Sequence, residues 1–238
     1  MPEPMLEVRD LVVRYGAIEA LHGISFDVRA GEVVALIGAN GAGKTTLINV
    51  ISGQVRADGG TVHFAGADVT RLRPDQLARR GIARTFQAIR LFKGLTVLEN
   101  VRLGGFVRGG SPVRARALLE RMGLAARANA LAGELAYGDQ RRLEIARALA
   151  AEPKLLILDE PAAGMNPTES AALRGLLRSL GAEGITTVLI EHDVRLVMGA
   201  CDRVAVLSFG RKIAQGTPAQ VQGDPAVRDA YLGSGDDA

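Results

Sequence analysis

The sequence predicts an α/β fold with a largely parallel core sheet, an antiparallel β subdomain and an inserted helical subdomain. Four short runs consist of apolar and β-branched residues, as in strands covered on both faces: VVALI (33–37), LLIL (155–158), TTVLI (186–190) and VAVL (204–207). Helical patterns such as 169–180 alternate with these runs, which is typical of a parallel α/β sheet. By contrast, 5–16 and 24–33 alternate polar and apolar residues, which predicts an antiparallel edge sheet.

The length of 238 residues and a hydrophobic content of 47% fit one domain with a sizeable core. Residues from about 88 to 133 read as mostly helical, with glycine and proline breaks at GGFVRGGSP. We therefore predict a single domain over 1–238. Its nucleotide-binding core and antiparallel β subdomain take up about 1–87 and 146–238, and a helical subdomain takes up about 88–145. The tail GSGDDA is expected to fray.

Composition excludes several classes of function. The formal net charge is only +3, so the chain is not expected to bind nucleic acid. Cys201 is the single cysteine, which excludes an intrachain disulfide and fits a reducing compartment. The start MPEPMLEVRD has no apolar signal-peptide region, and no apolar run approaches the roughly 20 residues that span a bilayer. We expect a soluble chain whose membrane role, if any, comes through a partner.

The stretch GANGAGKTT follows the strand VVALI and opens a helix, as G-x-x-x-x-G-K-[ST] requires of a phosphate loop. The glycines allow the backbone to wrap a phosphate chain, and the helix N-terminus favours negative charge. Lys44 is expected to reach the β- and γ-phosphates, and Thr45 to ligate Mg²⁺. The nucleotide-binding residues predicted here are Gly38, Asn40, Gly41, Ala42, Gly43, Lys44, Thr45 and Thr46.

The strand LLIL ends in the carboxylates Asp159 and Glu160, at the edge where parallel sheets bind ligands. Asp159 is predicted to hold Mg²⁺ and Glu160 to orient or deprotonate an attacking water. An acidic pair could instead be a helix cap or a surface turn, but the phosphate loop makes that reading weaker. Further on, LAYGDQRRLEIARAL places a Tyr-Gly-Asp turn before a helix, which predicts a second anion site.

Together these residues resemble the ATP-binding cassette (ABC) ATPases, and the resemblance covers essentially the whole chain. It implies a P-loop NTPase (RecA-like) core in an ABC ATPase fold that uses ATP and Mg²⁺. LAYGDQRR stands where that family carries its Leu-Ser-Gly-Gly-Gln signature, which completes the ATP site of the other subunit in a head-to-tail dimer. The anion bound at the second site would then be the γ-phosphate of the partner's ATP.

Other residues carry over from the family one by one. Tyr15 matches the aromatic residue that stacks on adenine, although it could be an ordinary strand tyrosine. Gln87 matches the glutamine that senses Mg²⁺ and γ-phosphate and contacts the transport subunit, and His192 matches the histidine that contacts the γ-phosphate. AAGMNP (162–167) matches the dimer-contact loop, with Asn166 where many members have Asp.

The signature departs from the family pattern. Only Leu135 and Gly138 match, while Ala136 replaces the serine, Tyr137 the first glycine and Asp139 the glutamine. Loss of the serine hydroxyl removes one donor to the γ-phosphate, a bond worth roughly 1.5–3 kcal/mol. The charge of Asp139 beside an anion site has no explanation in the sequence.

Three stretches are similar to the ATPase subunits of branched-chain amino acid importers: GIARTFQAIRLF, LAYGDQRRLEIARAL and DEPAAGMNPTE. The ending DPAVRDAYLG is similar too. This resemblance implies several partners: a second related ATPase or another copy of the chain, two membrane permease subunits and, indirectly, an external binding protein. It implies a location at the cytoplasmic face of the cell membrane. Leu91, Phe92, Leu95 and Leu98 either dock the permease or pack inside the helical subdomain.

Several alternatives stay open at this level. Importers of urea or short amides and the lipopolysaccharide exporter share much of the pattern. A soluble ABC ATPase would usually carry coiled-coil insertions or tandem cassettes, and neither is visible here. A P-loop kinase would need an acceptor site and a lid but no signature. A non-hydrolysing regulatory subunit conflicts with the intact Lys44, Asp159, Glu160 and His192.

Overall fold

Ten strands form two sheets in the computed structural model, which describes residues 4–228. They are β1 (Leu6–Tyr15), β2 (Ile18–Val28), β3 (Val33–Ile37), β4 (Gly59–Phe64), β5 (Ala67–Asp68), β6 (Ile82–Arg84), β7 (Leu155–Asp159), β8 (Thr186–Ile190), β9 (Arg203–Ser208) and β10 (Arg211–Gly216). The larger sheet has the order β10-β9-β3-β8-β7-β6 and the smaller one β2-β1-β4-β5.

The larger sheet is the predicted parallel core. Its strands β9, β3, β8, β7 and β6 run parallel, and β10 pairs with β9 in the antiparallel direction. All four predicted runs lie in it, as β3, β7, β8 and β9. The three-residue strand β6 is too short for a periodicity argument, and the sequence did not predict it.

The smaller sheet is antiparallel, as the alternating pattern of the first thirty residues predicts. In β1 the buried positions Leu6, Val8, Leu11 and Val13 face the core, while residues between them are more exposed. The predicted α/β class with an antiparallel sheet is therefore confirmed.

Nine α-helices lie within residues 4–228. They are α1 (Lys44–Ile51), α2 (Pro74–Arg80), α3 (Val97–Gly104), α4 (Pro112–Arg121), α5 (Tyr137–Leu149), α6 (Pro167–Ala182), α7 (Val194–Ala200), α8 (Pro218–Gly223) and α9 (Pro225–Val227). Short 3₁₀ turns lie at Phe106–Arg108, Ala125–Arg127 and Ala132–Glu134. The helix predicted over 169–180 is the centre of α6.

The two faces of the parallel sheet pack against different layers, because successive side chains of a strand point to opposite sides. In β3, Val33 and Ala35 contact the core formed with α3–α7, whereas Val34 and Leu36 contact the core formed with α1 and the antiparallel sheet. Both faces are thus covered, which explains why every residue of β3, β7 and β8 is buried and why β3 is apolar throughout.

The segment predicted to be helical from about 88 becomes helical only at Val97. Thr96 caps the helix at this point through a capping box with Glu99, and the preceding loop is held by the fully buried Asn100. Its Nδ2 donates to the carbonyls of Phe92 and Thr96, each at 3.0 Å, and its Oδ1 accepts from the Phe92 amide at 3.0 Å. A side chain that binds backbone groups in this way stabilises a loop instead of a helix. Residues 88–96 therefore form an irregular connection that leads from β6 into α3.

No helix within the described residues is both long and apolar enough to cross a membrane. The expectation of a frayed tail, and the end of the family-like stretch DPAVRDAYLG, lie outside the described residues.

Candidate functional site

Four loops meet at one edge of the parallel sheet. They follow β3, β7, β8 and β6, whose carboxyl ends point the same way because these strands are adjacent and parallel. Open α/β sheets bind ligands at this edge. The predicted residues Lys44, Asp159, Glu160, Gln87 and His192 all lie on these loops or at their borders.

The predicted phosphate loop runs from the end of β3 into α1. Gly38 has φ 151°, and a Cβ atom there would lie 2.2 Å from the Leu207 carbonyl oxygen, so only glycine fits. Gly43 has φ 101°, a left-handed conformation that starts α1. The amides of Lys44, Thr45 and Thr46 in the first turn have no acceptor among the described residues. Free amides at a helix N-terminus favour an anion.

Lys44 folds back over this loop. Its Nζ donates to the carbonyl oxygens of Gly38, at 2.6 Å, and Ala39, at 2.9 Å. Burial lowers the pKa of Lys44 below its ordinary value, while the charges of Glu160 and Asp159 oppose that shift. The cation is thus placed within electrostatic range of both strand-end carboxylates. The other predicted loop residues Asn40, Gly41 and Thr45 are exposed, Thr46 is partly buried and Ala42 is buried.

Asp159 is buried and paired with an arginine that the sequence did not single out. The Arg84 Nη2 donates to Asp159 Oδ2 at 3.1 Å, and its Nη1 donates to Asn49 Oδ1 at 2.7 Å and to Ser52 Oγ at 2.9 Å. Burial raises the pKa of Asp159, and Arg84 counteracts this. Arg84 therefore ties the strand-end carboxylate to the end of the helix that the phosphate loop opens.

The side chains at this edge supply only part of a Mg²⁺ coordination sphere, and phosphate oxygens and water would supply the rest. Thr45, Asp159 and Gln87 offer hydroxyl, carboxylate and amide oxygens, which are the hard ligands that Mg²⁺ prefers. Within residues 4–228, no group of three or more His, Cys, Asp or Glu side chains could hold a metal ion. Such a sparse set suits a cation that binds mainly through substrate phosphates and water.

Glu160 joins two of the predicted residues into a cluster. Gln87 Nε2 donates to Glu160 Oε2 at 3.0 Å, and His192 Nδ1 lies 3.7 Å from Glu160 Oε1. Glu160 has φ 48°, a left-handed conformation that is uncommon outside glycine. Its amide donates to the Ile190 carbonyl at 3.0 Å. This strained turn separates the directions of Asp159 and Glu160, and such strain is typical of functional sites.

Glu191 holds two of the loops together, and no sequence motif had pointed to it. It is buried, with Oε1 accepting from the Ala162 amide at 2.9 Å. Its Oε2 accepts from the amides of His192, at 3.1 Å, and Asp193, at 3.2 Å. The loop after β7 is thereby fixed to the loop that carries His192. A carboxylate immediately before the histidine, at the end of an apolar strand, was the available signal.

The signature residues lie apart from the phosphate loop, at the N-terminus of α5. No hydrogen bond between described residues joins Leu135, Ala136, Tyr137, Gly138 or Asp139 to residues 38–46. A Cβ atom at Gly138 would lie 2.4 Å from Glu169 Oε1, so this glycine leaves room for the Glu169 carboxylate of α6. Asp139 accepts from Arg142 Nη2, and it lies in the first turn of α5, where a carboxylate complements the helix dipole. Its charge is therefore compensated within the helix.

Tyr15 lies at the end of β1, paired across the hairpin with Ile18. Both side chains are largely exposed, Tyr15 by 49% and Ile18 by 71%. The neighbouring strand β2 approaches the phosphate loop, since a Cβ atom at Gly43 would lie 2.8 Å from a Leu21 methyl carbon. The two residues form an exposed apolar surface on the sheet beside the loop. The sequence had indicated only Tyr15 for the adenine contact, and the structure places Ile18 beside it.

The predicted docking residues divide into two groups. Leu91 and Leu98 pack against the helical core, so they serve the fold. Leu95 is partly buried, whereas Phe92 is 53% exposed. The Arg147 guanidinium lies over the Phe92 ring, 5.8 Å from its centroid. A cavity of about 250 Å³ lies nearby between α2, β6 and α5, and Phe86, Gly104 and Arg147 contribute to its lining.

In this sheet a glycine loop follows the central strand β3, and two carboxylates lie at the end of β7, which is two strands away. This arrangement characterises the P-loop class of nucleotide-binding proteins. Comparisons with known proteins agree with this class and narrow it. Residues 21–163 match the family described as "ABC transporter", and residues 211–237 match "Branched-chain amino acid ATP-binding cassette transporter". The chain belongs to the ABC transporter family, as one of its ATP-binding cassette ATPases, which use ATP and Mg²⁺.

The relatives cover the chain almost completely. It is 43% identical to the high-affinity branched-chain amino acid transport ATP-binding protein LivG of Salmonella typhimurium, over 98% of this chain and 99% of LivG. Its fold is similar to the ADP conformation of MJ1267, an ATP-binding cassette of an ABC transporter (TM-score 0.88, 36% identity, 98% and 100% coverage). It is also similar to the ATP-binding cassette MJ0796, solved as a dimer bound to ADP and Pi (TM-score 0.82, 27% identity, 90% and 99% coverage).

The geometry of the phosphate loop predicts unequal effects of two glycine substitutions. Gly38→Ala places a methyl group against the Leu207 carbonyl, so we expect it to lower the free energy of unfolding by about 3 kcal/mol or more. Gly41→Ala is the matched control, because Gly41 also has positive φ but has open space around its Cα. It should lower the free energy of unfolding by only about 1 kcal/mol. Denaturant titration without nucleotide measures both, and equal losses would contradict the account of this loop.

Proposed function

We propose that this chain is the ATP-hydrolysing subunit of an importer for branched-chain amino acids. The supporting observation is the convergence of Gln87 and His192 on Glu160, at the sheet edge that also carries Lys44 and Asp159. The family and the similarity to LivG supply the chemical context, namely hydrolysis of ATP coupled to transport.

ATP binds with its phosphates on the loop from Gly38 to Thr46. The free amides of the first turn of α1 face negative charge, and Lys44 exchanges its carbonyl partners for phosphate oxygens without leaving the loop. The adenine lies on Tyr15, with Ile18 extending the apolar surface. Mg²⁺, when bound, neutralises charge on the β- and γ-phosphates, and the residues that would hold it are Thr45, Asp159 and Gln87.

Hydrolysis requires a water molecule in line with the γ-phosphate. Glu160 is the group that polarises this water, since its carboxylate is oriented by Gln87 on one side and lies beside His192 on the other. Gln87 and His192 position the γ-phosphate. The buried Glu191 fixes the backbone of His192, so the histidine approaches from a rigid loop.

The signature acts on a second ATP, bound by a partner cassette in a head-to-tail dimer. Ala136, Tyr137, Gly138 and Asp139 present the N-terminus of α5, with Leu135 anchoring it in the core. The pairing of Asp139 with Arg142 reduces its repulsion of a phosphate. Hydrolysis removes the charge that bridges the two cassettes, and the dimer then opens.

Transport results when the closing and opening of the dimer are transmitted to membrane subunits that are bound to it. Phe92 offers an exposed apolar contact in the same segment as Gln87, and Arg147 beside its ring also lines the cavity that Phe86 and Gly104 border. We place two permease subunits there, a second ATPase or another copy of this chain across the dimer, and an external binding protein beyond the membrane. The chain would then act at the cytoplasmic face of the cell membrane.

Substitution of the proposed base tests the hydrolysis mechanism. Glu160→Gln keeps the shape and the contact with Gln87 but removes the charge, so turnover should fall by about 10²–10⁴-fold while ATP still binds. The variant should accumulate as an ATP-bound dimer in gel filtration. As a contrast, Lys44→Ala should weaken ATP binding by about 10-fold or more, because a charge-assisted contact is lost. Near-normal phosphate release by Glu160→Gln would refute the assignment.

Affinity purification from native membranes tests the transport assignment. The tagged chain should recover two permease subunits and a second ATPase, identified by mass. Phe92→Ala should reduce that recovery because it removes an exposed apolar contact, whereas Phe209→Ala, at another exposed aromatic residue in the β9–β10 turn, should not. Recovery in the soluble fraction alone, without membrane subunits, would favour a stand-alone ABC ATPase.

A further inference from the structure

The first turn of α5 contains a tyrosine where the family pattern has a glycine, and the structure gives this tyrosine partners. The Tyr137 ring lies against Gly164 in the loop after β7, where an added Cβ atom would come within 2.8 Å of the ring. Its hydroxyl accepts a hydrogen bond from Arg141 Nη2 at 3.1 Å. Tyr137 is nevertheless about half exposed, at the N-terminus of α5.

Arg141 connects this tyrosine to the loop that carries Gln87. Its Nη1 donates to the Phe86 carbonyl at 2.8 Å, and its Nη2 also donates to the Gln87 carbonyl. The side chain of Arg141 is only 2% exposed, and its Nε has no hydrogen-bond partner within residues 4–228. One planar group thus binds two successive backbone carbonyls, those of Phe86 and Gln87, and the hydroxyl of the signature residue Tyr137.

One neighbouring carboxylate holds Arg141 in place, and a second arginine extends the attachment along α5. Glu144 is buried and accepts from Arg141 Nη1 at 3.3 Å and from the Arg90 amide at 3.2 Å. Arg147, one turn further along α5, donates to the Arg90 carbonyl. Residues 86–92, here called the Gln87 segment, are therefore attached to α5 along three successive positions of one helix face.

We propose that Arg141 is a positioning residue that couples the Gln87 segment to the signature of the same chain. The inference rests on the proposed function. There, Gln87 responds to the γ-phosphate in this chain's own site, while Tyr137 and Gly138 face the ATP of the partner. A shift of the Gln87 segment moves the two carbonyls that Arg141 holds, and the Tyr137 hydroxyl moves with them. Occupancy of one ATP site is thereby transmitted to the other.

The geometry requires arginine at this position. Its planar fork carries five donors in fixed directions, so it can bind three acceptors at once. Lysine has the same charge and would still compensate Glu144, but a single ammonium on a flexible chain cannot hold both carbonyls and the hydroxyl in one arrangement. Arg141→Lys therefore weakens the coupling while it keeps the buried charge balance.

The test compares two segments in the full-length chain that carries Glu160→Gln, so that ATP remains bound. Hydrogen exchange is measured by mass spectrometry for residues 86–92 and 135–142 over a series of ATP concentrations with Mg²⁺. Without further change, both segments should gain protection at the same ATP midpoint. With Arg141→Lys the two midpoints should separate by at least about 5-fold, the lower end of typical allosteric couplings.

Two further variants sharpen this result. Tyr137→Phe removes only the hydroxyl and should give a smaller separation in the same direction, and it decides the question if Arg141→Lys does not fold. Arg121→Lys is the matched control, because Arg121 pairs with Glu183 and Ser179 on the surface and contacts neither segment. It should leave the midpoints together.

The outcomes separate the coupling from the proposed function. Coincident midpoints in Arg141→Lys, or a general rise in exchange without nucleotide and no separation, would overturn the coupling and leave Arg141 with a structural role. ATP binding that is absent in the parent chain, or that survives Lys44→Ala unchanged, would overturn the proposed function and the coupling with it.

Discussion

The parallel pairing of β3, β8 and β7 is the constraint on which the rest of the site depends. Ile190, the last residue of β8, pairs with Leu36 on one side and with Asp159 on the other. The three strands therefore end at nearly the same height. The phosphate loop, the Glu160 turn and the His192 loop leave the sheet next to one another. A one-residue slip would exchange the faces of a strand and separate these groups.

Buried charges then fix the loops that the sheet brings together. Arg84 joins Asp159 to the end of α1, Glu191 joins the loop after β7 to the loop after β8, and Arg141 joins α5 to the loop after β6. A buried charge is unfavourable unless it is paired and hydrogen-bonded, and each of these groups has several partners. Loops held in this way keep their geometry before a ligand arrives, and pre-organised donors are what a phosphoryl-transfer site needs.

The sequence predicts the framework well, because local signals carry it. The apolar runs of β3, β7, β8 and β9, and the glycine-lysine loop before α1, each depend on residues that are adjacent in the chain. It does not predict β6, nor that residues 88–96 lack a helix, because the path of that segment depends on tertiary contacts such as those of the buried Asn100. Arg84, Glu191 and Arg141 escape notice for a similar reason. Arginine and glutamate are common surface residues, and only tertiary contacts reveal that these are buried. The charge of Asp139 likewise becomes understandable once Arg142 is seen beside it.

A crystal structure of the Glu160→Gln chain with ATP and Mg²⁺ would show whether the loops at this sheet edge hold the triphosphate. We predict that the triphosphate lies on residues 38–46, with Gln87 and His192 facing the γ-phosphate. We also predict that Asp159 turns a carboxylate oxygen toward the metal coordination sphere while Arg84 keeps its contacts with Asn49 and Ser52. A triphosphate bound elsewhere, or Gln87 and His192 directed away from the γ-phosphate, would contradict these predictions.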